Sequence, residues 1–289
     1  MRVAIIGGSG KMGRWLADFL LREGKEVVIT GRNEKKLLDA KQQLGVEVAT
    51  NAEAVKHADV VLVSVPIDNF ESVIEEVSHY IRPEQVVMDI TSIKVFPVEV
   101  MHRHIKTSLV LGMHPMFGPG AKGIAGQNFV LTPTNDGERT LAQKVRQYLV
   151  DRGARVALMT PQEHDEMMAI ILGLSHFIAI VSADTLINLD KFEMTRAIGG
   201  TSYRVLLTLV ESVVSEDPEF YASLQMSLPN IKEVEALFHK SSKTWADIVR
   251  KKDRREFIER MRILKNRFKE RDPDFGKAYN IMYKMLDEL

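Results

Sequence analysis

The chain has 289 residues, 39 Lys and Arg against 39 Asp and Glu, and no cysteine. It is longer than one average domain, and its balanced charge creates no field that would draw it to nucleic acid or to an anionic membrane. Without thiols there is no disulfide, thiolate nucleophile or thiolate metal site, so any redox chemistry falls to a bound cofactor.

Met1 leads straight into RVAII, with no charged leader or cleavage site ahead of it, which predicts a cytoplasmic protein. Strands are predicted at RVAII, EVVIT, VVLVSV, QVVMDI, SLVLGM and NFVLT. Crossover helices are predicted at RWLADFLLREG, EKKLLDAKQQLG and NFESVIEEVSHYI, where apolar residues recur every three or four positions. Gly24 and Gly45 stand where the first two of these helices end. The alternation predicts an α/β fold, a Rossmann-type parallel sheet with helical crossovers, over residues 1–160.

Past about Thr160 the β-rich runs stop, and the pattern predicts an all-helical substrate and dimerisation domain over residues 161–289. Thr160 to Leu189 is apolar nearly all round, which predicts a helix buried on every side, as at the interface of a homodimer. Its most lipid-like part, Met167 to Val181, is shorter than the roughly 20 residues of a spanning helix and carries His176, so no membrane span is expected. From Asn230 onward charged amphipathic helices such as DRREFIERMRILKNRFKER predict a solvated face.

The stretch GGSGKMGR places Gly8, Gly10 and Gly13 in a GxGxxG pattern after a strand and at the start of a helix. Such glycines allow a tight turn, close approach to a pyrophosphate and close helix–strand contact, so Gly8, Ser9, Gly10, Lys11, Met12 and Gly13 are predicted to hold a dinucleotide. An acid about 20 residues on would bind the ribose hydroxyls of NAD. Here Gly31 takes that place, between Thr30 and Arg32. Thr30 and Arg32 are suited to bond a 2′-phosphate, which favours NADP while leaving NAD open; Arg32 could equally be an exposed helix-start residue. Ser64, Val65 and Pro66 end the next strand and are expected to cover the cofactor.

DITSIK and HPMFGPG end two further strands. His114, fixed beside Pro115, has a side chain that titrates near neutrality and suits a base taking a hydroxyl proton while hydride leaves the same carbon. Ser92 could orient the substrate hydroxyl or that imidazole, and Lys94 could pair with a carboxylate. His164, Asp165 and Glu166 read as a cap and packing motif at a helix start, and no metal is expected.

Together GGSGKMGR, DITSIK, HPMFGPG, the EHD of Glu163 to Asp165, LSHF around His176 and YRVLLTLVESVVSEDPEFYASLQM resemble the prephenate dehydrogenase family, most nearly the branch fused to chorismate mutase. No chorismate mutase segment is expected ahead of the first strand and no regulatory domain at the end. The resemblance implies oxidative decarboxylation of prephenate to 4-hydroxyphenylpyruvate in tyrosine biosynthesis, with His114 as base and Ser92 bonded near it. It places Lys94, His176 and Arg204 in or beside a pocket for a small carboxylate substrate. Members of this branch carry a second, carboxylate-binding arginine eight residues after the one matched by Arg204. Here that residue is Ser212, so Lys94, Lys122 or Arg204 would take the role, or the substrate differs. The alternatives are a related NADP-dependent dehydrogenase or reductase for another small carboxylate or cofactor, and a non-catalytic NADP sensor.

Overall fold

The computed structural model describes residues 1–287, so the last two residues of the predicted helical domain, Glu288 and Leu289, lie outside the described residues. It divides into two compact units, Met1–Met168 with Met226–Pro229, and Ala169–Gln225 with Asn230 onward. The division falls at Met168, a few residues beyond the Thr160 expected from the sequence.

The first unit is built on eight strands: β1 (Arg2–Ile6), β2 (Glu26–Ile29), β3 (Glu47–Val48), β4 (Val60–Val63), β5 (Val86–Asp89), β6 (Leu109–Pro115), β7 (Asn128–Thr132) and β8 (Arg155–Leu158). Their order in the sheet is β3-β2-β1-β4-β5-β6-β7-β8. Strands β1 to β6 pair in parallel, as their β-branched runs predict. Alternate residues of β1 feed opposite faces: Val3 and Ile5 join one core, Ala4 and Ile6 the other. Burial on both faces is why these strands read as continuous apolar runs. Because β1 lies between β2 and β4, the strand order reverses there, and the carboxyl ends of β1 and β4 open the crevice where ligands of such sheets bind.

The sheet departs from the sequence expectation at β7, which runs antiparallel to β6. Residues 116–127 contain no crossover helix, and a chain that returns without one pairs antiparallel. The short β3, and β8 with its half-exposed pattern, give no strong apolar signal and were not expected.

The helices of this unit are α1 (Lys11–Arg22), α2 (Glu34–Leu44), α3 (Asn51–Lys56), α4 (Phe70–Ser78), α5 (Val95–His104), α6 (Asp136–Val150) and α7 (Pro161–Met168). Local chemistry sets their ends. Asn33 caps α2 by accepting from the Lys36 amide, and Gly45 stops it in the left-handed region at φ 67°. Thr50 and Glu53 form a reciprocal capping box on α3.

The second unit contains α8 (Ser175–Ile187), α9 (Phe192–Ile198), α10 (Thr201–Val214), α11 (Pro218–Ser227) up to Gln225, α12 (Ile231–Arg250), α13 (Arg254–Arg271) and α14 (Ala278–Asp287). A π-helical segment, Ala169–Leu174, joins α7 to α8, so one continuous helix of 27 residues runs from Pro161 to Ile187. By length and composition this helix is sufficient to cross a membrane, which corrects the reading of the segment as too short. Nor is it buried on every side within one chain. Only 11% of its most apolar window is buried, and Ala179 is the one buried residue of α8.

The glycine loop supplies a test of this packing. A Cβ on Gly13 would stand 2.6 Å from Gly8 Cα and 2.9 Å from the Gly7 carbonyl oxygen, both backbone atoms that no rotamer change can move. Gly13→Ala should therefore destabilise the first unit by about 1–3 kcal/mol, the usual result of overpacking. Urea denaturation followed by circular dichroism measures it.

Candidate active site

Four glycines shape the turn from β1 into α1. Gly7, at φ 79°, lies against the Ser64 carbonyl, which a Cβ would meet at 2.3 Å, so it joins the ends of β1 and β4 at the reversal of strand order. Gly8 has no room for a side chain beside Ile29, and Gly13 none beside Gly8. Gly10 differs: its Cβ would meet nothing closer than the Gly7 oxygen at 3.4 Å. Packing within the protein thus explains three of the glycines and leaves Gly10 open for a ligand. Gly10 is also the N-cap of α1, with no side-chain cap and no acid in the first turn. Such a helix start offers the positive end of the dipole to an anion. Arg14 fastens the loop by donating to the Ser9 carbonyl and to the carbonyl of Lys36 on α2.

The residues after β2 are placed less uniformly than their sequence suggests. Thr30 is 1% exposed and its hydroxyl donates to Asn51 Oδ1 at 2.6 Å. Its single proton is used there, so Thr30 is not available to donate to a 2′-phosphate. Arg32 is exposed and bonds Asn69 Oδ1 at 3.2 Å, on the segment that follows Ser64, Val65 and Pro66. Gly31 has a definite cause, because a Cβ there would lie 2.4 Å from Ser9 Oγ. The Ser9 side chain fills the space that an acid at 31 would need. Lys11 and Met12 lie in the first turn of α1, the former exposed and the latter half-buried.

At the end of β6, His114 is 5% exposed and its Nδ1 lies 2.9 Å from His164 Nε2. His164 Nδ1 in turn lies 2.7 Å from Asp165 Oδ1. Asp165 also accepts from the amides of Lys94, at 2.6 Å, and Val95, at 2.9 Å, which open α5. The EHD motif therefore divides in its duties. Glu163 is the cap expected, bonding the Thr160 amide at 2.8 Å. His164 and Asp165, read from sequence as capping and packing only, are instead joined to His114.

Lys94 does pair with a carboxylate, but the carboxylate is Asp89, at the end of β5. Both side chains are fully buried, and Lys94 Nζ also donates to the Met113 carbonyl at 3.0 Å. Direct pairing with a substrate is not what this geometry offers. Burial pushes Asp89 upward and Lys94 downward while their mutual attraction opposes both shifts. Gly112 makes the arrangement possible, since a Cβ on it would stand 3.1 Å from Lys94 Cδ and 2.2 Å from Thr132 Oγ1. Burial foremost, and then the nearby Lys94 charge, holds His114 well below its ordinary value and therefore neutral at pH 7.

Ser92 is half-buried in the turn between β5 and α5, and among the described residues no hydrogen bond joins it to His114, whose Nδ1 partner is His164. Lys122 is exposed in the loop after β6, a loop that Trp15 of α1 holds through a 2.6 Å bond to the Ala121 carbonyl.

The second unit contains the other sites expected from the resemblance. His176 packs edge-on against Tyr221 with ring centroids 4.8 Å apart, and burial lowers its pKa. Its Nδ1 is buried without a partner among the described residues. Arg204 is exposed on the first turn of α10, and Ser212 is exposed two turns further on, its hydroxyl donating to the Leu209 carbonyl at 2.8 Å.

Fold and site define a dinucleotide-binding α/β domain with a buried histidine at a strand end, followed by a helical domain. The chain belongs to the prephenate dehydrogenase family: residues 16–158 match its nucleotide-binding domain and residues 160–263 its dimerisation domain. It is 37% identical over 267 residues to the probable arogenate/prephenate dehydrogenase of Methanocaldococcus jannaschii, covering 91% of this chain and 60% of that protein. It is 32% identical over 231 residues to the T-protein of Enterobacter agglomerans, covering 78% of this chain and 56% of the relative. The chain thus spans well under two thirds of the length of these relatives. Prephenate dehydrogenase from Aquifex aeolicus, solved with hydroxyphenyl propionate and NAD+, shares the fold at a TM-score of 0.76 and 22% identity, covering 94% of this chain and 98% of that one.

The buried pair gives a second test. Lys94→Met strands Asp89 without its counter-charge, and should destabilise the first unit by about 3–5 kcal/mol. The double variant Asp89→Asn, Lys94→Met should recover a large part of that loss in the same denaturation assay, since it removes both charges together.

Proposed function

We propose that the protein is a dehydrogenase of the cyclohexadiene class, acting on prephenate or arogenate with a nicotinamide dinucleotide, and we favour prephenate with NADP. The observation that carries this reading is His114: a buried, neutral imidazole at a strand end, with Nδ1 engaged and Nε2 bonded to no described residue. The nicotinamide ring, when bound, supplies hydride acceptance. Gly8, Gly10, Gly13 and the start of α1 would hold the pyrophosphate, and the open cradle at Gly10 fits that group. His114 would take the proton of the ring hydroxyl while hydride leaves the carbon that bears it, and loss of carbon dioxide would give 4-hydroxyphenylpyruvate from prephenate.

Arg32 and the absence of an acid at position 31 support NADP, with Arg32 alone carrying the 2′-phosphate role now that Thr30 is engaged elsewhere. The NAD+ of the Aquifex aeolicus structure is the reason that both cofactors are tested. Because Lys94 is occupied by Asp89, we assign the substrate carboxylate to Lys122 or Arg204, both exposed. Ser212 cannot replace a guanidinium while its proton is given to Leu209.

We further propose a homodimer through the helical unit. Ile170, Ile171, Ile180, Val181 and Ile187 are each 38–65% exposed in the single chain, and the match to a dimerisation domain supports a second copy rather than lipid as their cover. A cytoplasmic location follows from that reading.

Three measurements test these points. His114→Asn should leave dinucleotide binding intact and lower turnover of prephenate or arogenate by about 10²- to 10⁴-fold, the usual worth of a positioned base. An unchanged rate would exclude the role. Arg32→Ala should raise KM for NADP+ while hardly changing that for NAD+, and equal effects would remove the 2′-phosphate assignment. Sedimentation of a monomer at micromolar concentration would overturn the dimer.

A further inference from the structure

We propose that His164, held by Asp165, is a positioning residue for His114: it fixes the imidazole with the proton on Nδ1 and the lone pair on Nε2, and stabilises the imidazolium that forms. The proposal rests on the reading of His114 as the base, and its first test needs no substrate.

The argument is one of counting donors. Asp165 accepts the amides of Lys94 and Val95 at the start of α5. A carboxylate that takes a backbone N–H on each of its two oxygens is used as an acceptor on both. The His164 nitrogen 2.7 Å from it must then be the donor, which puts the His164 proton on Nδ1 and leaves Nε2 a lone pair. His114 Nδ1, 2.9 Å from that lone pair, must donate in turn. Neutral imidazole has one N–H, so His114 Nε2 is left unprotonated. The tautomer needed for a base is thus dictated two residues away, by the carboxylate.

The same chain serves the protonated state. When Nε2 takes a proton, His114 becomes a cation whose Nδ1–H points at an acceptor backed by Asp165. The titratable groups facing the pair are few. Lys94 and His164 face His114, while Lys94, Asp165 and Asp89 face His164. Lys94 opposes a positive charge on either ring, and Asp165 favours it on His164. The cluster is therefore built to keep His114 neutral at rest and to accept charge only during the reaction. His164 is 0% exposed, so solvent cannot substitute for it.

Nitrogen NMR of the full chain labelled with ¹⁵N-histidine tests the tautomer. We expect His114 with a protonated Nδ1 and a bare Nε2. In Asp165→Leu, which removes the acceptor of the His164 Nδ1 proton, the single order of donors should be lost and His114 Nε2 should carry the proton in a measurable share of molecules. A wild-type His114 protonated on Nε2, or a tautomer unmoved in a folded Asp165→Leu, would overturn the proposal.

Kinetics with prephenate or arogenate then tests the consequence. His164→Leu should lower kcat about 10²- to 10⁴-fold with KM changed by no more than about threefold. The acid limb of its pH–kcat profile should move to lower pH, because His114 loses the link to Asp165. His164→Gln keeps an acceptor near Nε2 and should recover about tenfold over His164→Leu. A rate loss with an unmoved limb and no recovery by Gln would mark His164 as merely structural and sink the idea. If the wild type turns over neither compound, the functional reading fails while the NMR result still decides the tautomer.

Discussion

The carboxylate of Asp165 is the point on which the site depends. It lies near the start of α7, yet it accepts from two amides at the start of α5 and from His164, and through His164 it reaches the end of β6. A single buried anion thus fixes a helix start, a ring orientation and a strand end relative to one another. Its energetic logic is strict, because a buried carboxylate is tolerated only when its lone pairs are filled. The donors available are those that define the site. Removing any of them leaves both the fold and the histidine chain short of a partner.

Most of the first unit was legible from sequence because its strands are buried on both faces and its glycines stand at fixed offsets. Val3 to Ile6 and Val61 to Val63 read as strands since neither face meets water. What was not legible depends on contacts distant in sequence. Thr30 looks like a cofactor ligand beside Arg32, but nothing local shows that Asn51, 21 residues on, takes its proton. His164 looked like a cap because Glu163 beside it is one. Its true partner is 50 residues upstream. One signal could have pointed to the Lys94 burial, the lone Gly112 inside VLGMHP, since a glycine in a strand interior often marks close approach by another group.

The helical unit illustrates a different limit. Periodicity correctly marks Thr160 to Leu189 as helix and as apolar, but an all-round apolar helix gives no information about what covers it. The single chain buries little of it. The sequence pattern describes an environment, and when part of that environment is another molecule the pattern and the single-chain structure differ at those residues.

Charge balance within the first unit connects the fold to its chemistry. Asp89 and Lys94 cancel one another wherever their shared proton resides, so the resting cluster, with both histidines neutral, retains the negative charge of Asp165. Protonation of His114 brings the whole group to neutrality. In a buried setting an uncompensated charge is costly and a compensated one much less so, so Asp165, through His164, biases the site toward a proton and offsets part of the cost that burial sets against a charged His114. Lys94 limits this bias, since its proximity keeps the histidines from being protonated by solvent beforehand. A buried lysine pressing on a histidine and a buried aspartate behind it are opposed terms. Their balance is what the proposed role of His114 as a base would draw on, an imidazole empty at rest that can still hold a proton.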